Sequence, residues 1–574
     1  MSTIKLCEKR KAILKQAGHV LVTGGPGSGK TTVALLKAAA ASHSLRSGEE
    51  ILFLSFSRAA IQQILQKSQD LLNRDERSLI HVQTYHAFCI ELLESHGRLL
   101  SGRPCKFIVP GEERLRKAGF SDQWNAERER MARQEGVYCF DLLAPGAAEL
   151  LEKSTAVRTL LASKYPMVIC DEFQDTDDDQ WRVVQALAVS ASMCFLADPE
   201  QRIFDYRPNV NPLRVQQLRE KLNPAEFGLG GENHRSPNGG ILQFADCVLQ
   251  NRAPLPKTND VKVATYHGRD FDAIFHAATV WTFGEVRRRG VEHPSVAVLC
   301  RSNKLVATLS NTLQTQHTFK GSALRPIEHG VVWDADLAVE AAVIVASIME
   351  WSPSDAVTLT KTLGLLSRYY QLKNAEKATK KAAEAAVRCT QMAAALGSGP
   401  AIRSKSLQQF RETLAAGIGF VGDAMKDWVS ARRVLQSATG FEDVFGDASM
   451  VKLFGAREAL AAGLADLWLA SASYAGAAER VRTILDRQRL LESERTPHGC
   501  MLMTIHKSKG KEFDGVVLVE DAHRAPFFDT NREPAPFQRS RRLLRVGLTR
   551  AKHFVMIVRP NGATPFVGPA FSAR

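Results

Sequence analysis

Two short polar motifs, each set at the end of an apolar run, constrain the fold of this chain more than any other feature. Gly24-Gly25-Pro26-Gly27-Ser28-Gly29-Lys30-Thr31 follows the run His19 to Thr23, and Asp171-Glu172-Phe173-Gln174-Asp175-Thr176 follows Met167 to Cys170. Such short apolar runs read as strands buried on both faces. The carboxyl ends of parallel strands are where α/β sheets hold their ligands. The glycine segment fits the loop that cradles phosphate on backbone N–H groups at a helix N-terminus. In that pattern Lys30 reaches the β- and γ-phosphates and the Thr31 hydroxyl reaches Mg²⁺. Asp171 is the expected second Mg²⁺ ligand, and Glu172 is placed to orient and deprotonate an attacking water. The glycine loop alone indicates little beyond a nucleotide phosphate. The two motifs in this order, each on its own strand, point to nucleotide hydrolysis.

Further apolar runs at 51–55, 193–197, 296–300, 501–505, 515–519 and 554–558 alternate with helical stretches such as Thr31 to Ala41. That alternation predicts doubly wound parallel sheets. The runs fall into a group ending near 200 and a second group beginning near 290. Strand signal nearly vanishes over 351–490, where Ala, Lys and Leu dominate, and the charged segment 93–160 also reads as helical. No apolar run approaches the ~20 residues of a membrane-spanning helix, and the charged N-terminus lacks an apolar leader core. The ten cysteines are scattered without a CxxC pair. We therefore expect a cytoplasmic protein, with no membrane contact and neither structural zinc nor an iron–sulfur cluster. A formal charge of +14 favours an anionic partner.

Taken in order, the motifs resemble those of the UvrD/Rep-type superfamily 1 helicases. After the glycine loop come Ile51-Leu-Phe-Leu-Ser-Phe-Ser-Arg-Ala-Ala60 and Val82-Gln-Thr-Tyr-His-Ala-Phe88, then the acidic box and Ala197-Asp-Pro-Glu-Gln-Arg-Ile-Phe-Asp-Tyr-Arg207. Asn233-His-Arg-Ser236, Val296 to Asn303, Met503-Thr-Ile-His-Lys-Ser-Lys-Gly-Lys-Glu-Phe513 and Val546-Gly-Leu-Thr-Arg-Ala-Lys552 complete the series. The resemblance implies an α/β fold of two RecA-like P-loop NTPase domains with parallel sheets, each interrupted by a mainly helical accessory insertion. The implied boundaries are 1–92 and 161–208 for the first domain, around an insertion at 93–160. The second comprises 209–350 and 491–574, around an insertion at 351–490.

The resemblance also implies roles. Arg235 and Arg550 supply cations from the second domain, Gln201 contacts the γ-phosphate, Gln174 carries the change between domains, and Glu512 meets the ribose. Thr32 and His234 occupy the positions where the family stacks on the base. The register of the family's adenine-reading glutamine holds Lys9, Arg10 and Lys11. Relaxed selectivity among ATP, other NTPs and dNTPs is therefore expected, with Mg²⁺ as cofactor. For single-stranded DNA the candidates are Phe56, Thr84, Tyr85, His86, Phe204 and Tyr206, with Arg301, Thr504 and His506 in the second domain. Bases stack on such aromatics. Where the family carries acids, Arg539, Arg541, Arg542 and Arg545 make a basic run, readable as a solvated helix face or as a nucleic-acid or partner surface. The implied activity is an ATP-dependent DNA helicase or translocase in DNA repair or anti-phage defence. The compact chain also resembles the helicase component of the Gabija anti-phage system, which acts with an OLD-family nuclease. The alternative role is accordingly a regulatory NTPase subunit controlling a partner nuclease.

Overall fold

The computed structural model describes residues 6–108, 113, 116, 120, 123–203, 209–230, 235–236, 239–332, 336–351, 356–376, 380–398, 405–415, 418–437, 440–448, 457–494, 499–521, 525–531 and 533–568. The chain forms two compact units. One comprises Met1–Glu113, Asp122–His329 and Thr496–Arg574; the other comprises Arg114–Ser121 and Gly330–Arg495.

The first unit holds two mainly parallel sheets. In one, β1 (Val20–Thr23), β2 (Ile51–Ser55), β3 (Ile80–Thr84), β4 (Met167–Cys170), β5 (Ser192–Ala197) and β6 (Ala225–Gly228) lie in the order β3-β2-β4-β5-β1-β6. Alternate side chains leave its two faces. Val20, Val22, Ile51 and Phe53 enter one core, while Leu21, Leu52 and Leu54 enter another. Both faces are thus covered by helices, as parallel pairing requires. The register sets Thr23 opposite Ala197, so β1 and β5 end level and the backbone N–H of Gly24 donates to Ala197 O at 3.3 Å. The glycine loop and the Asp198 turn therefore leave the sheet side by side.

The second sheet contains β7 (Val261–Tyr266), β8 (Val296–Cys300), β9 (Cys500–Thr504), β10 (Phe513–Val519) and β11 (Ala551–Pro560), with parallel pairings in the order β9-β8-β10-β11-β7. Three helices matter for the site: α1 (Lys30–Ser42), α2 (Gly240–Gln250) and α3 (Gln538–Leu548). The other unit is built from helices, among them Asp336–Met349, Ala356–Glu376, Ala424–Ser437 and Ala477–Glu494. Ile344, Leu363, Tyr369, Phe410 and Val481 lie in its core. Glu340, 2% exposed, is neutralised there by Arg482 at 2.9 Å and Arg368 at 3.2 Å. Among the described residues, no helix is long and apolar enough to cross a membrane.

Among the labelled strands, three escape the sequence pattern: β3, β6 and β7. Each ends its row of parallel pairings and mixes polar with apolar residues, because an edge strand needs no continuous apolar run. β6 pairs with β1, which carries the first sheet's chain past the expected boundary at 208. The segment 93–160 is mainly helical but also contains a short parallel pairing of Lys106–Phe107 with Val137–Tyr138.

Candidate active site

The glycine loop is shaped by two left-handed residues, Gly27 at φ +73° and Gly29 at φ +87°, a conformation that costs a side-chain-bearing residue about 1–2 kcal/mol. A side-chain carbon on Gly24 would lie 2.5 Å from Ser28 Oγ, so any larger residue there would force Ser28 to shift. Gly29 precedes α1 with no side-chain cap, leaving first-turn N–H groups available to an anion. Lys30 Nζ folds over its own loop and donates to Gly24 O at 2.7 Å and Gly25 O at 3.1 Å. The Ser28 hydroxyl is buried without a hydrogen-bond partner among the described residues.

Asp171 follows β4 and is buried. Burial, reinforced by the neighbouring Glu172 and opposed by Lys30, pushes its carboxyl up to about 7. A carboxyl so strained as an anion gains from an adjacent dication. The hard oxygen of Thr31, one carboxylate and phosphate oxygens suit Mg²⁺, which keeps few protein ligands. Residues around the loop thus fit a magnesium–nucleoside triphosphate. Glu172 stands at φ +51° and ψ +35°, an outlying backbone conformation for a non-glycine residue. Burial raises its carboxyl, but Lys509, Lys30, Gln174 and Arg550 together hold it below the ordinary value. It is therefore an anion in the folded site.

Facing these groups are cations and backbone from the second sheet. Lys509, just after β9, ion-pairs with Asp175, stands 3.6 Å from Glu172 Oε2 and donates to Gln201 O at 2.9 Å. Arg550, 2% exposed, donates through Nη2 to Gln201 Oε1 at 2.8 Å and through Nε to Val546 O at 3.1 Å. Burial and Arg235 both depress its pKa. Since arginine stays charged, an arriving anion would relieve that cost. Gln201 Nε2 donates to Asp198 Oδ2 at 2.7 Å, and Gln174 bridges Glu172 at 2.6 Å and the Asp198 N–H at 3.0 Å. One polar chain therefore runs from Glu172 through Gln174, Asp198 and Gln201 to Arg550. Arg235 donates to Glu512 Oε1 at 2.6 Å and to Thr549 O at 3.0 Å. Burial alone would raise Glu512, yet Arg235 and Lys67 hold it at about 2.

Thr32 sits half-buried on the first turn of α1, and Pro26 is buried within the loop. Arg10, 9% exposed, donates to Ser28 O at 3.3 Å, setting an arginine against the loop in the register of the glutamine. His234, Phe204 and Tyr206 lie outside the described residues.

The strand-contact candidates separate. Phe56 is half-buried and its ring lies 5.1 Å from that of Tyr85. Tyr85 itself is 1% exposed in the core with Phe88 and Leu92, so its ring is a packing element here and offers no face to a base. Tyrosine after a polar strand end gives the same sequence signal in either role. Thr84 caps the following helix, accepting from the Ala87 N–H at 3.0 Å, and His86 stacks on Phe140 at 4.4 Å. Arg301 is engaged by the carbonyls of Pro526 and Phe527 and by the Ser540 hydroxyl. Thr504 ends β9 half-buried, and burial, Arg301 and Lys509 lower His506 to about 4.

The basic run is not one surface. Arg541 is 3% exposed and donates to Pro536 O, Val248 O, Phe566 O and Asn251 Oδ1, which makes it internal bracing. Arg545 is also buried, whereas Arg539 is exposed. Lys509 was missed as a site residue: its motif supplied several lysines, and only the fold selects the one that meets the acidic box.

The family model described as the UvrD/REP helicase N-terminal domain matches residues 7–135 and 113–220, and that of the UvrD-like helicase C-terminal domain matches 499–558. YjcD of Bacillus subtilis is 23% identical, over 96% of this chain and 78% of its own length. The ATP-dependent DNA helicase UvrD1 of Mycobacterium tuberculosis is 21% identical over 98% and 83%, respectively. The ATP-dependent DNA helicase PcrA of Staphylococcus aureus is 22% identical over 53% of this chain and 49% of its own. These matches support the UvrD/Rep-type helicase family.

Proposed function

We propose that this chain, similar to UvrD/Rep-type helicases in family matches and in fold, is an ATP-dependent DNA helicase that couples nucleoside triphosphate hydrolysis to movement along single-stranded DNA. The observation that carries this reading is the contact of Arg550 with Gln201, beside Glu172 and Lys509. It supports a hydrolytic site completed by groups from both sheets.

In this reading the glycine loop and Lys30 bind the triphosphate, while Thr31 and Asp171 hold Mg²⁺. When bound, Mg²⁺ offsets the negative charge of the phosphate oxygens. Glu172 orients the water and takes its proton, and Gln174 fixes the Glu172 oxygen. Arg550 and Gln201 face the γ-phosphoryl group, with Arg235 and Glu512 behind them. Loss of that group would release Arg550 and Gln201, and the Gln174–Asp198 chain would pass the change to the strand-binding face. Phe56, Thr84, His86, Phe204, Tyr206, Thr504 and His506 remain the proposed strand contacts.

The test is nucleotide turnover with and without naked single-stranded DNA, together with strand displacement from a tailed duplex. Turnover that DNA leaves unchanged, with no displacement, would refute the reading. A second reading, a regulatory NTPase in an anti-phage complex with an OLD-family nuclease, rests on the altered base end, where Arg10 and Thr32 stand. It predicts turnover stimulated only by a co-purifying nuclease, and weak discrimination between ATP and GTP.

A further inference from the structure

Arg545 lies beside the glycine loop and is used by neither the phosphate chemistry nor the DNA reading. It lies on α3, and its side chain is 2% exposed. Nε donates to Asp246 Oδ1 on α2 at 2.9 Å, a contact within its own lobe. Nη2 instead crosses to the first sheet's lobe and pairs with Glu200 Oε2 at 2.9 Å. Nη1 stands 3.6 Å from Asp198 Oδ2, within ion-pair range, but has no hydrogen-bond partner among the described residues. A side-chain carbon built on Gly25 would come 3.7 Å from Nη2, so this guanidinium lies against the opening of the phosphate loop.

We propose that Arg545 is a third guanidinium of the nucleotide site, a positioning residue that clamps the second sheet's lobe to the acidic turn Asp198–Glu200 and thereby sets affinity for a nucleoside triphosphate. The inference rests on the nucleotide-hydrolysing reading above. Its physical basis is charge. Two carboxylates of that turn stand beside a loop built for a polyanion, and Arg545 offsets them while joining the lobes. Asp198 also accepts from Gln201 and receives Gln174 on its N–H, so the clamp bears on the chain that ends at Arg550. Removing the guanidinium leaves the acids facing the phosphates and loosens closure. A triphosphate, held by both lobes, suffers more than a diphosphate, held chiefly by the loop.

The experiment measures binding of a non-hydrolysable ATP analogue and of ADP to the full chain, in wild type, Arg545→Met, Arg545→Lys, Glu200→Gln and Lys30→Ala. Arg545→Met should weaken analogue binding about tenfold and ADP binding far less, a typical size for coupling between sites. Arg545→Lys should recover part of the loss. Glu200→Gln alters a half-exposed residue and so tests the cross-lobe contact if Arg545→Met does not fold; it should shift analogue affinity in the same direction by a smaller factor. Equal weakening of analogue and ADP, or an unchanged analogue affinity with only a lowered melting temperature, would overturn the clamp and leave Arg545 as a support for α2. If Lys30→Ala loses the analogue while Arg545→Met and Glu200→Gln keep it, only this inference fails. If wild type binds neither nucleotide, the nucleotide reading fails with it.

Discussion

Replacing Arg550 with alanine separates a catalytic guanidinium from a merely structural one, because both consequences can be sized. Its Nη2, Nε and Nη1 reach Gln201 Oε1 at 2.8 Å, Val546 O at 3.1 Å and Lys511 O at 3.4 Å, all from a side chain with almost no solvent contact. Alanine strands those acceptors. The side-chain oxygen of Gln201 has the most to lose, and water entering the space left behind can serve the two carbonyls. A buried acceptor without a partner costs about 1–3 kcal/mol, so a total loss of roughly 2–4 kcal/mol in stability is expected. Loss of charge opposite the γ-phosphoryl group is a separate effect, about 10³–10⁵ in rate for an arginine of this kind, or roughly 4–7 kcal/mol in the barrier. Arg550→Lys keeps the charge without the three-way geometry and should fall between wild type and alanine. The assay is steady-state hydrolysis with saturating single-stranded DNA, paired with nucleotide binding and thermal unfolding. A folded Arg550→Ala protein that turns over within tenfold of wild type would refute the reasoning, whatever its melting temperature.

Lys30→Ala should abolish turnover, whereas Glu172→Gln should retain nucleotide and hydrolyse none; measurable single-turnover hydrolysis in Glu172→Gln would remove that carboxylate from its role. Tyr85→Ala should destabilise by about 3–5 kcal/mol, as expected for emptying an aromatic site in a core, and a strand-affinity loss without lowered thermal stability would contradict the burial. His506 is held at about 4, below its ordinary 6.5, by burial, Arg301 and Lys509. Its neutral form is favoured in the fold, so that contribution to stability is complete above pH 6.5 and is lost as pH falls toward 4. Wild type should lose up to about 3 kcal/mol more than His506→Gln over that window in denaturant titrations, and parallel curves would count against the assignment. Strand affinity should fall with salt at a slope near −0.7 per neutralised phosphate, and a flat dependence in a titration series would argue against a charged groove.

The order of polar motifs after apolar runs was enough to indicate two parallel sheets and to place Lys30, Asp171 and Glu172 at strand ends. Local chemistry fixes these features: a strand buried on both faces needs a continuous apolar run, and the loop that follows needs glycines where φ is positive. Edge strands such as Val261–Tyr266 lack that requirement, so their pattern gives no comparable signal. Identical residue types likewise take opposite fates according to packing. Tyr85 enters a core while Phe56 remains half-buried, and Arg541 braces carbonyls in a run that also contains exposed Arg539.

Residue identity and spacing thus determined which chemistry the chain carries at the ends of its strands. Only the tertiary structure decided which cations meet across the sheets: Lys509 at Glu172 and Asp175, Arg550 at Gln201, and Arg545 at Glu200. Hundreds of residues separate these partners in the chain. Their pairing depends on strand order, register and the packing of helices, which are collective properties of the folded molecule and leave no mark at any single position.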